Sequence, residues 1–380
     1  MARWRSFLPA HVLHAIANSV ENPQNVQEAA QTALQIHQRV TLARKEYLLT
    51  EGKAGVAQPA DAFIPSHAVA RISDDAGAKG LIQGTGAVEA DVTDSVSRRN
   101  APLETKPTSR TVCDFNHALD EYILPGIAVR ANSSKESPDK TVNQAYDNVG
   151  QVLKFYKEKL GLESFDNENT AIVSSVHFGK DYVNAYGNDF IYNFAASVDV
   201  IAHEISHALT DNLCPLEYSG QSGALNEHLS DVLAVIVGQM VKNQTAEQAN
   251  WLIGEDCLFP TVRGVALRSL KAPGTAYDDP RLVSNAKDFR VAEEDNGGVH
   301  TYSGIPNKAF YLTAMALGGS TWGTAGRIWW SAMRSGRIPL KCSFQQFADL
   351  TIQCATTELG HDAAKLVRRA WDDVGVIGGV

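Results

Sequence analysis

Two polar motifs placed 24 residues apart constrain the fold of this 380-residue chain more than any other feature of its sequence. The first is H-E-x-x-H, from His203 to His207, inside the otherwise apolar run VDVIAHEISHALTDNL, which favours a buried helix. On a helix, positions i and i+4 lie about 40° apart around the axis, so both imidazoles point the same way and can bind one zinc ion. Glu204, between them, can reach a water on that ion rather than the ion itself.

Catalytic zinc sites use three protein ligands and a water, so a third ligand is expected close by in space. The second motif, in GALNEHLSD, supplies Glu227, and its distance from His203 allows one helix to end, turn and return antiparallel. Asp231, one helical turn further on, can accept a hydrogen bond from the far nitrogen of a ligand histidine. Asn226 is likewise expected to lie behind the ligands and to contact them rather than the metal. His228 is expected to point away from the ligands. A chance motif with a surface carboxylate would not explain the apolar residues around Glu227.

The composition fits a globular protein and argues against several classes of partner. Apolar residues make up 44% of the chain and charged residues 20%, as in an ordinary soluble enzyme. Because the net charge is −9 and no basic patch is present, we expect no nucleic-acid partner. There is no run of about 18 apolar residues to span a membrane and no signal-peptide pattern at the N-terminus. The sequence therefore predicts a cytoplasmic location, or export by a route without a cleavable signal peptide.

Four regions differ in character along the chain, and together they predict an α+β fold. They are residues 1–50, a helical leader that resembles a propeptide; 51–110, a linker or processing region; 111–210, a strand-rich lobe that includes the helix of the first motif; and 211–380, a helical lobe. Asp139 is predicted to cap a helix that runs to about Leu160, with Gly161 at its end. Ser343 and Gln346 have the spacing of a capping box for a later helix.

Three long segments resemble the thermolysin family of zinc metalloendopeptidases. HEISHALTD, SGALNEHLSD and DNGGVHTYSGIPNKAFYL match its signature segments in order and spacing, and the resemblance runs from about Arg110 to Val376. It implies a two-lobe fold, with a strand-rich N-terminal lobe, a helical C-terminal lobe and the zinc site in the cleft between them.

The resemblance also implies catalytic roles for individual residues. His203, His207 and Glu227 are similar to the family's zinc ligands, with Asp231 and Asn226 behind them, and Glu204 is similar to its general base. His300 resembles the transition-state donor, Asp295 the carboxylate that orients it, and Tyr218 the second oxyanion donor. Glu204 is also expected to carry out the last step of the mechanism, protonation of the leaving amine.

A second set of residues resembles the family's substrate-binding groups. Asn184 and Ala185 are similar to the edge-strand segment that pairs with the substrate backbone. Arg268 is similar to the group that binds the substrate carbonyl beyond the scissile bond. Val200 and Leu267 match positions of an apolar pocket, which implies a preference for an apolar residue on the leaving-group side.

The sequence departs from the family at its paired calcium site. Two matching carboxylates remain, Asp199 and Glu255, while Gly238, Asn250 and Leu252 occupy the other positions. Because calcium binds through several oxygen ligands, two carboxylates cannot easily hold two ions. We expect the double site to be lost and at most one weak calcium ion to bind.

The start of the chain, SFLPAHVLHAI, is similar to the short leader of the protealysin subgroup, which blocks the cleft as an intramolecular inhibitor and is later removed. A self-inhibited precursor is therefore expected, and a permanent helical extension is the alternative. The partner expected for the mature form is a peptide or protein substrate.

Two other functions remain open alongside the endopeptidase. A zinc aminopeptidase also uses H-E-x-x-H with a distant glutamate, but no G-x-M-E-N segment is present to anchor a free amine. A catalytically silent zinc-binding or inhibitory protein is the other alternative, although all the expected catalytic residue types occur.

Overall fold

The computed structural model describes most of the chain beyond residue 107. It covers residues 108–117, 125–132, 134–177, 194–257, 264–276, 284–290 and 295–378, with isolated positions between 17 and 34. The predicted leader and linker, apart from those positions and the linker's last three residues, lie outside the described residues, as do Asn184 and Ala185.

Three strands form the described sheet of the first lobe: β1 (Arg110–Asp114), β2 (Ile127–Ala131) and β3 (Ile172–Val176). Their order is β2-β1-β3, with β1 antiparallel to β2 and parallel to β3. All three fall in segments whose alternating or apolar character predicts strands. The sheet packs against a helix, α1 (Lys140–Phe155).

Helix α1 begins and ends where the sequence indicates. The Asp139 carboxylate accepts hydrogen bonds from the backbone N–H groups of Thr141 and Val142, which caps the first turn. The last turn, Tyr156–Leu160, widens into a π-helix. Gly161 then adopts a φ of 71°, the left-handed conformation that glycine tolerates best, and ends the helix.

The two motifs lie on neighbouring buried helices, α2 (Val198–Leu213) and α3 (Gly220–Val241). The helices run antiparallel, because the earlier histidine, His203, contacts the later residue Asp231, whereas His207 contacts Asn226. Nearly all of α3 is buried, so it forms the centre of the main hydrophobic core.

The rest of the described chain is mainly helical. Its helices are α4 (Asp295–Tyr302), α5 (Gly304–Leu317), α6 (Arg327–Met333), α7 (Phe344–Leu359) and α8 (His361–Asp373). The first four residues of α4 have left-handed backbone conformations and form a turn before its regular part. A short antiparallel pair, β4 (Leu252–Ile253) and β5 (Arg268–Ser269), lies beside α3. The capping box of Ser343 and Gln346 starts α7 as predicted. No helix among the described residues is long and apolar enough to cross a membrane.

Candidate active site

Three side chains from α2 and α3 converge in the interior. His203 Nε2 lies 3.4 Å from Glu227 Oε2, His207 Nε2 lies 3.5 Å from Glu227 Oε1, and the two Nε2 atoms are 3.0 Å apart. All three side chains are buried, and within the described part of the chain they form the group that could hold a metal ion. Two imidazole nitrogens and one carboxylate are a donor set that suits zinc.

The far nitrogen of His203 faces Asp231. Asp231 Oδ1 lies 2.8 Å from His203 Nδ1 and accepts hydrogen bonds from Arg268 Nε at 3.0 Å and Nη2 at 2.8 Å. Arg268 Nη2 also lies 3.1 Å from His203 Nδ1, but arginine only donates, so Asp231 is the acceptor for that ring nitrogen. Burial alone would raise the pKa of Asp231, but the guanidinium of Arg268 and the contact with His203 lower it to about 2. Asp231 therefore stays ionised and directs His203 Nε2 towards His207 and Glu227.

The far nitrogen of His207 has two partners on α3. Asn226 Oδ1 lies 2.8 Å from His207 Nδ1, and the hydroxyl oxygen of Ser230 lies 3.0 Å from the same atom. Because an amide oxygen only accepts, the hydrogen of the neutral ring sits on Nδ1 and leaves Nε2 as a lone-pair donor. Both histidines are thus held in the tautomer that metal binding would require.

Tyr218 and His300 form a second wall of the site, and both face Glu227. The Tyr218 hydroxyl donates a hydrogen bond to Glu227 Oε1, and His300 Nε2 lies 3.5 Å from Glu227 Oε2. Burial opposes ionisation of Glu227, but the nearby rings of His300 and His207 hold the pKa of its carboxyl well below its ordinary value.

His300 is oriented by Asp295 through an unusual turn. Asp295 Oδ1 lies 2.6 Å from His300 Nδ1, and Asp295 Oδ2 accepts a hydrogen bond of 3.0 Å from the His300 backbone N–H. Burial lowers the pKa of His300, but the carboxylates of Asp295 and Glu227 outweigh it and raise the pKa to about 9. The ring is therefore protonated at neutral pH and presents an Nε2–H donor.

Four consecutive residues before His300, Asp295 to Gly298, have φ values of 54°, 50°, 89° and 81°. This left-handed conformation is available to glycine and, less readily, to aspartate and asparagine. At Gly297 a Cβ would lie 2.9 Å from the backbone nitrogen of Gly220, at the start of α3. The glycine thus allows the turn to touch α3 directly and brings His300 to Glu227.

Three other predicted site residues among those that the structure describes, Glu204, Val200 and Leu267, are also buried. Glu204 is 8% exposed. Burial lowers the pKa of Arg268, but the carboxylates of Asp231 and Glu227 outweigh that effect and raise the pKa, and the charge of Glu204 adds a smaller contribution in the same direction. Val200 lies in the first turn of α2, and Leu267 packs onto Gly254 just before β5.

The predicted remnant of a calcium site has a different set of partners. Asp199 Oδ1 accepts a hydrogen bond from the Val200 backbone N–H, and Oδ2 accepts one from Gly254. Glu255 Oε2 accepts a hydrogen bond of 2.7 Å from Asn250 and lies 3.9 Å from the ammonium of Lys242. Both carboxylates thus accept hydrogen bonds from donors within the protein.

Sequence reasoning missed two contacts of the site, Ser230 and Asn307. Ser230 was detectable, because it lies four residues after Asn226 and three after Glu227 on the same helix face. Asn307 Nδ2 donates a hydrogen bond of 2.8 Å to Asp231 Oδ2 from α5, 76 residues away, and no local pattern announces that contact.

Comparison with known proteins supplies an independent test of the resemblance. A family model described as the catalytic domain of thermolysin metallopeptidases matches residues 83–211, and one described as their alpha-helical domain matches residues 214–376. The chain belongs to the thermolysin family of metallopeptidases. The predicted membership, the two-lobe fold and the assignment as a metallopeptidase are confirmed.

Individual proteases are similar to this chain over most of its length. An extracellular metalloprotease of Pectobacterium carotovorum subsp. carotovorum is 40% identical over 294 residues, 73% of this chain and 85% of that protein. Protease PrtS of Photorhabdus sp. strain Az29 is 37% identical over 302 residues, 74% of this chain and 80% of that protein. The solved precursor of protealysin, a metalloproteinase from Serratia proteamaculans, matches with a TM-score of 0.73 and 30% identity, covering 98% of this chain and 99% of that one.

Proposed function

We propose that this metallopeptidase is a zinc-dependent endopeptidase whose ligands are His203, His207 and Glu227. The observation that carries the proposal is the convergence of two lone-pair nitrogens and a carboxylate, with both far nitrogens already occupied by acceptors. Zinc bound there supplies a Lewis acid and lowers the pKa of a coordinated water.

The chain's own groups supply the proton transfers and the charge stabilisation. Glu204 accepts a proton from the attacking water and delivers it to the leaving amine. His300 Nε2–H and the Tyr218 hydroxyl donate hydrogen bonds to the oxygen on which negative charge develops. Asp295 keeps His300 charged and fixed in orientation, which supports its role as a donor.

Substrate binding is proposed for residues on both sides of this centre. The guanidinium plane of Arg268 is fixed by two hydrogen bonds to Asp231, which suits a group that must meet a substrate carbonyl at a set angle. Val200 and Leu267, both apolar and only 1% and 5% exposed, are proposed to line the pocket for the leaving-group residue, which implies a preference for an apolar side chain there. Asn184 and Ala185 remain the proposed backbone-pairing segment.

The activity is tested with internally quenched peptides blocked at the N-terminus. We expect cleavage at internal bonds that precede an apolar residue, loss of cleavage after chelation, and recovery with zinc. Glu204→Ala should abolish cleavage and retain zinc. Cleavage confined to free N-termini would favour the aminopeptidase, and turnover that Glu204→Ala leaves unchanged would favour a silent zinc-binding protein.

We also propose that residues 1–50 inhibit the enzyme until they are removed. Two described leader positions, Ala17 and Leu34, are 4% and 7% exposed and belong to the same cluster of buried apolar residues as the catalytic lobes. The likeness to a solved precursor supports the same assignment. Mass spectrometry during the onset of activity tests it, and full activity from an intact chain would contradict it.

Two further assignments remain proposals. The double calcium site is lost, because Gly238 packs beside Asp199 without a carboxylate and Lys242 supplies positive charge beside Glu255. The location is proposed as cytoplasmic, or reached by a route without a cleavable signal peptide, and fractionation of producing cells would test it.

A further inference from the structure

His228 follows the proposed ligand Glu227 and points to the opposite side of α3. It is fully buried and lies edge-on to the rings of Phe310, Trp329 and Phe347, with centroids 6.0 to 6.5 Å away. Both ring nitrogens are nevertheless engaged: Nε2 contacts Trp329 Nε1 and Nδ1 contacts Asn307 Oδ1, each at 2.8 Å. A histidine enclosed by aromatic rings and bonded at both nitrogens has a single orientation.

The indole of Trp329 sets the direction of these hydrogen bonds. An indole N–H can only donate, so His228 Nε2 must accept, and the hydrogen of the neutral ring lies on Nδ1. That hydrogen is donated to Asn307 Oδ1, which leaves the amide nitrogen of Asn307 to donate to Asp231 Oδ2 at 2.8 Å. The flipped amide would place two oxygens against each other.

The same order of donors and acceptors extends to the proposed metal site. With Oδ2 of Asp231 bonded to Asn307, Oδ1 is turned to His203 Nδ1 at 2.8 Å and to Arg268. His203 therefore carries its hydrogen on Nδ1 and presents the lone pair of Nε2 to the other ligands. Each of these contacts lies in the protein interior, where an unmatched donor or acceptor is costly.

We propose that His228 is a positioning residue for the metal site, acting on His203 through Asn307 and Asp231 under the control of the Trp329 indole. The relay formed by these five side chains spans four helices, and no member is more than 2% exposed. The inference rests on the proposed zinc site and goes beyond it, because Trp329, His228 and Asn307 are not among the proposed zinc ligands or substrate-binding residues.

The experiment compares two tryptophans of one aromatic cluster. Trp329 and Trp371 stack with centroids 6.2 Å apart, both are at most 1% exposed, and Trp371 Nε1 donates to Thr351 Oγ1 at 2.9 Å. Trp329→Phe and Trp371→Phe therefore remove the same volume and one buried indole hydrogen bond each. The relay contains the first tryptophan and leaves out the second.

Zinc affinity is measured on the full-length chain by competition with a chromophoric chelator, and ligand geometry by the visible spectrum of bound Co²⁺. Trp329→Phe should weaken zinc binding about tenfold and should alter the cobalt spectrum. Tenfold is the lower end of the loss in metal affinity that follows mutation of residues in contact with metal ligands. Trp371→Phe should lower the melting temperature comparably and leave both readouts unchanged. Equal effects of the two variants on zinc, or none from either, would overturn the proposal.

A second variant, His228→Phe, keeps a ring in the aromatic enclosure and removes both of its hydrogen bonds. It should weaken zinc binding more than Trp329→Phe; a variant that folds and binds zinc normally would refute the relay. If it does not fold, the tryptophan pair decides alone. If the unmodified chain bound no zinc, the proposed zinc site itself would be wrong. The ¹⁵N chemical shifts of His203 in the metal-free protein would then test the relay separately. Of the two tryptophan variants, only Trp329→Phe should disturb the Nδ1–H tautomer of His203.

Discussion

The two walls of the site are built in different ways. The α2–α3 wall carries the proposed ligands on two regular helices, where residues four apart share a face. The His300 wall depends on four consecutive left-handed residues and on a glycine that touches the start of α3. Regular spacing places the first set, whereas backbone conformation and one close contact place the second. Substitutions of the proposed ligands in the first wall should therefore remove metal, and those in the second wall should reduce turnover while metal stays bound.

The largest effect is expected from Glu227→Gln in the first wall. It replaces a carboxylate ligand with a weaker neutral donor, so zinc affinity should fall by more than the roughly 10- to 100-fold typical of outer contacts, and peptide cleavage should fall with it. Chelator competition and the quenched-peptide assay measure the two effects. Glu158→Gln, at an exposed glutamate in a surface ion pair, is the control and should change neither. A variant at 227 that keeps full zinc affinity would remove this residue from the ligand set.

His300→Asn in the second wall should separate metal binding from catalysis. Loss of one oxyanion donor typically lowers kcat by about 10²- to 10³-fold, and His300 is not among the proposed ligands. Zinc affinity should therefore stay near that of the unmodified chain. If zinc were lost in parallel with activity, the division between the two walls would be wrong.

Gly297→Ala tests the contact that holds the second wall in place. A new Cβ would lie 2.9 Å from Gly220 N, in a residue whose φ is already 89°. The left-handed conformation alone disfavours alanine by about 1–2 kcal/mol, and the clash should also displace His300. We expect kcat to fall at least about tenfold, since misplacement of about 1 Å can reduce rates that much or more.

Gly336→Ala is the matched control for this prediction, because Gly336 has a φ of 67° and a Cβ there would meet nothing within 4 Å. It should lower the free energy of unfolding through backbone strain without changing kcat. Equal kcat values for the two alanine variants would mean that the turn does not position His300.

Sequence alone predicted the first wall better than the second, because the first wall is built on regular helices and the second on an irregular turn. Helix periodicity links His203 to His207 and Glu227 to Asp231, so their shared faces follow from spacing. The place of His300 came from the family resemblance, because a left-handed turn leaves no periodic signal. The contact of Asn307 with Asp231 joins positions 76 residues apart and depends on how α5 packs against α3. The two-lobe fold was predictable from long motifs, whereas such long-range polar contacts required coordinates.

The smallest effect is expected at the far end of the first wall, where α2 carries Asp199. If protein donors and Lys242 have replaced calcium there, adding calcium to the zinc-loaded enzyme should raise the melting temperature by less than about 2 °C, which corresponds to under roughly 1 kcal/mol for a domain of this size. A calcium titration followed by thermal denaturation, with magnesium as the control ion, measures the shift. A rise of many degrees specific to calcium would show that the ion competes successfully with these donors. The first wall would then hold two cation sites, and its stability would depend on an ion as well as on helix packing.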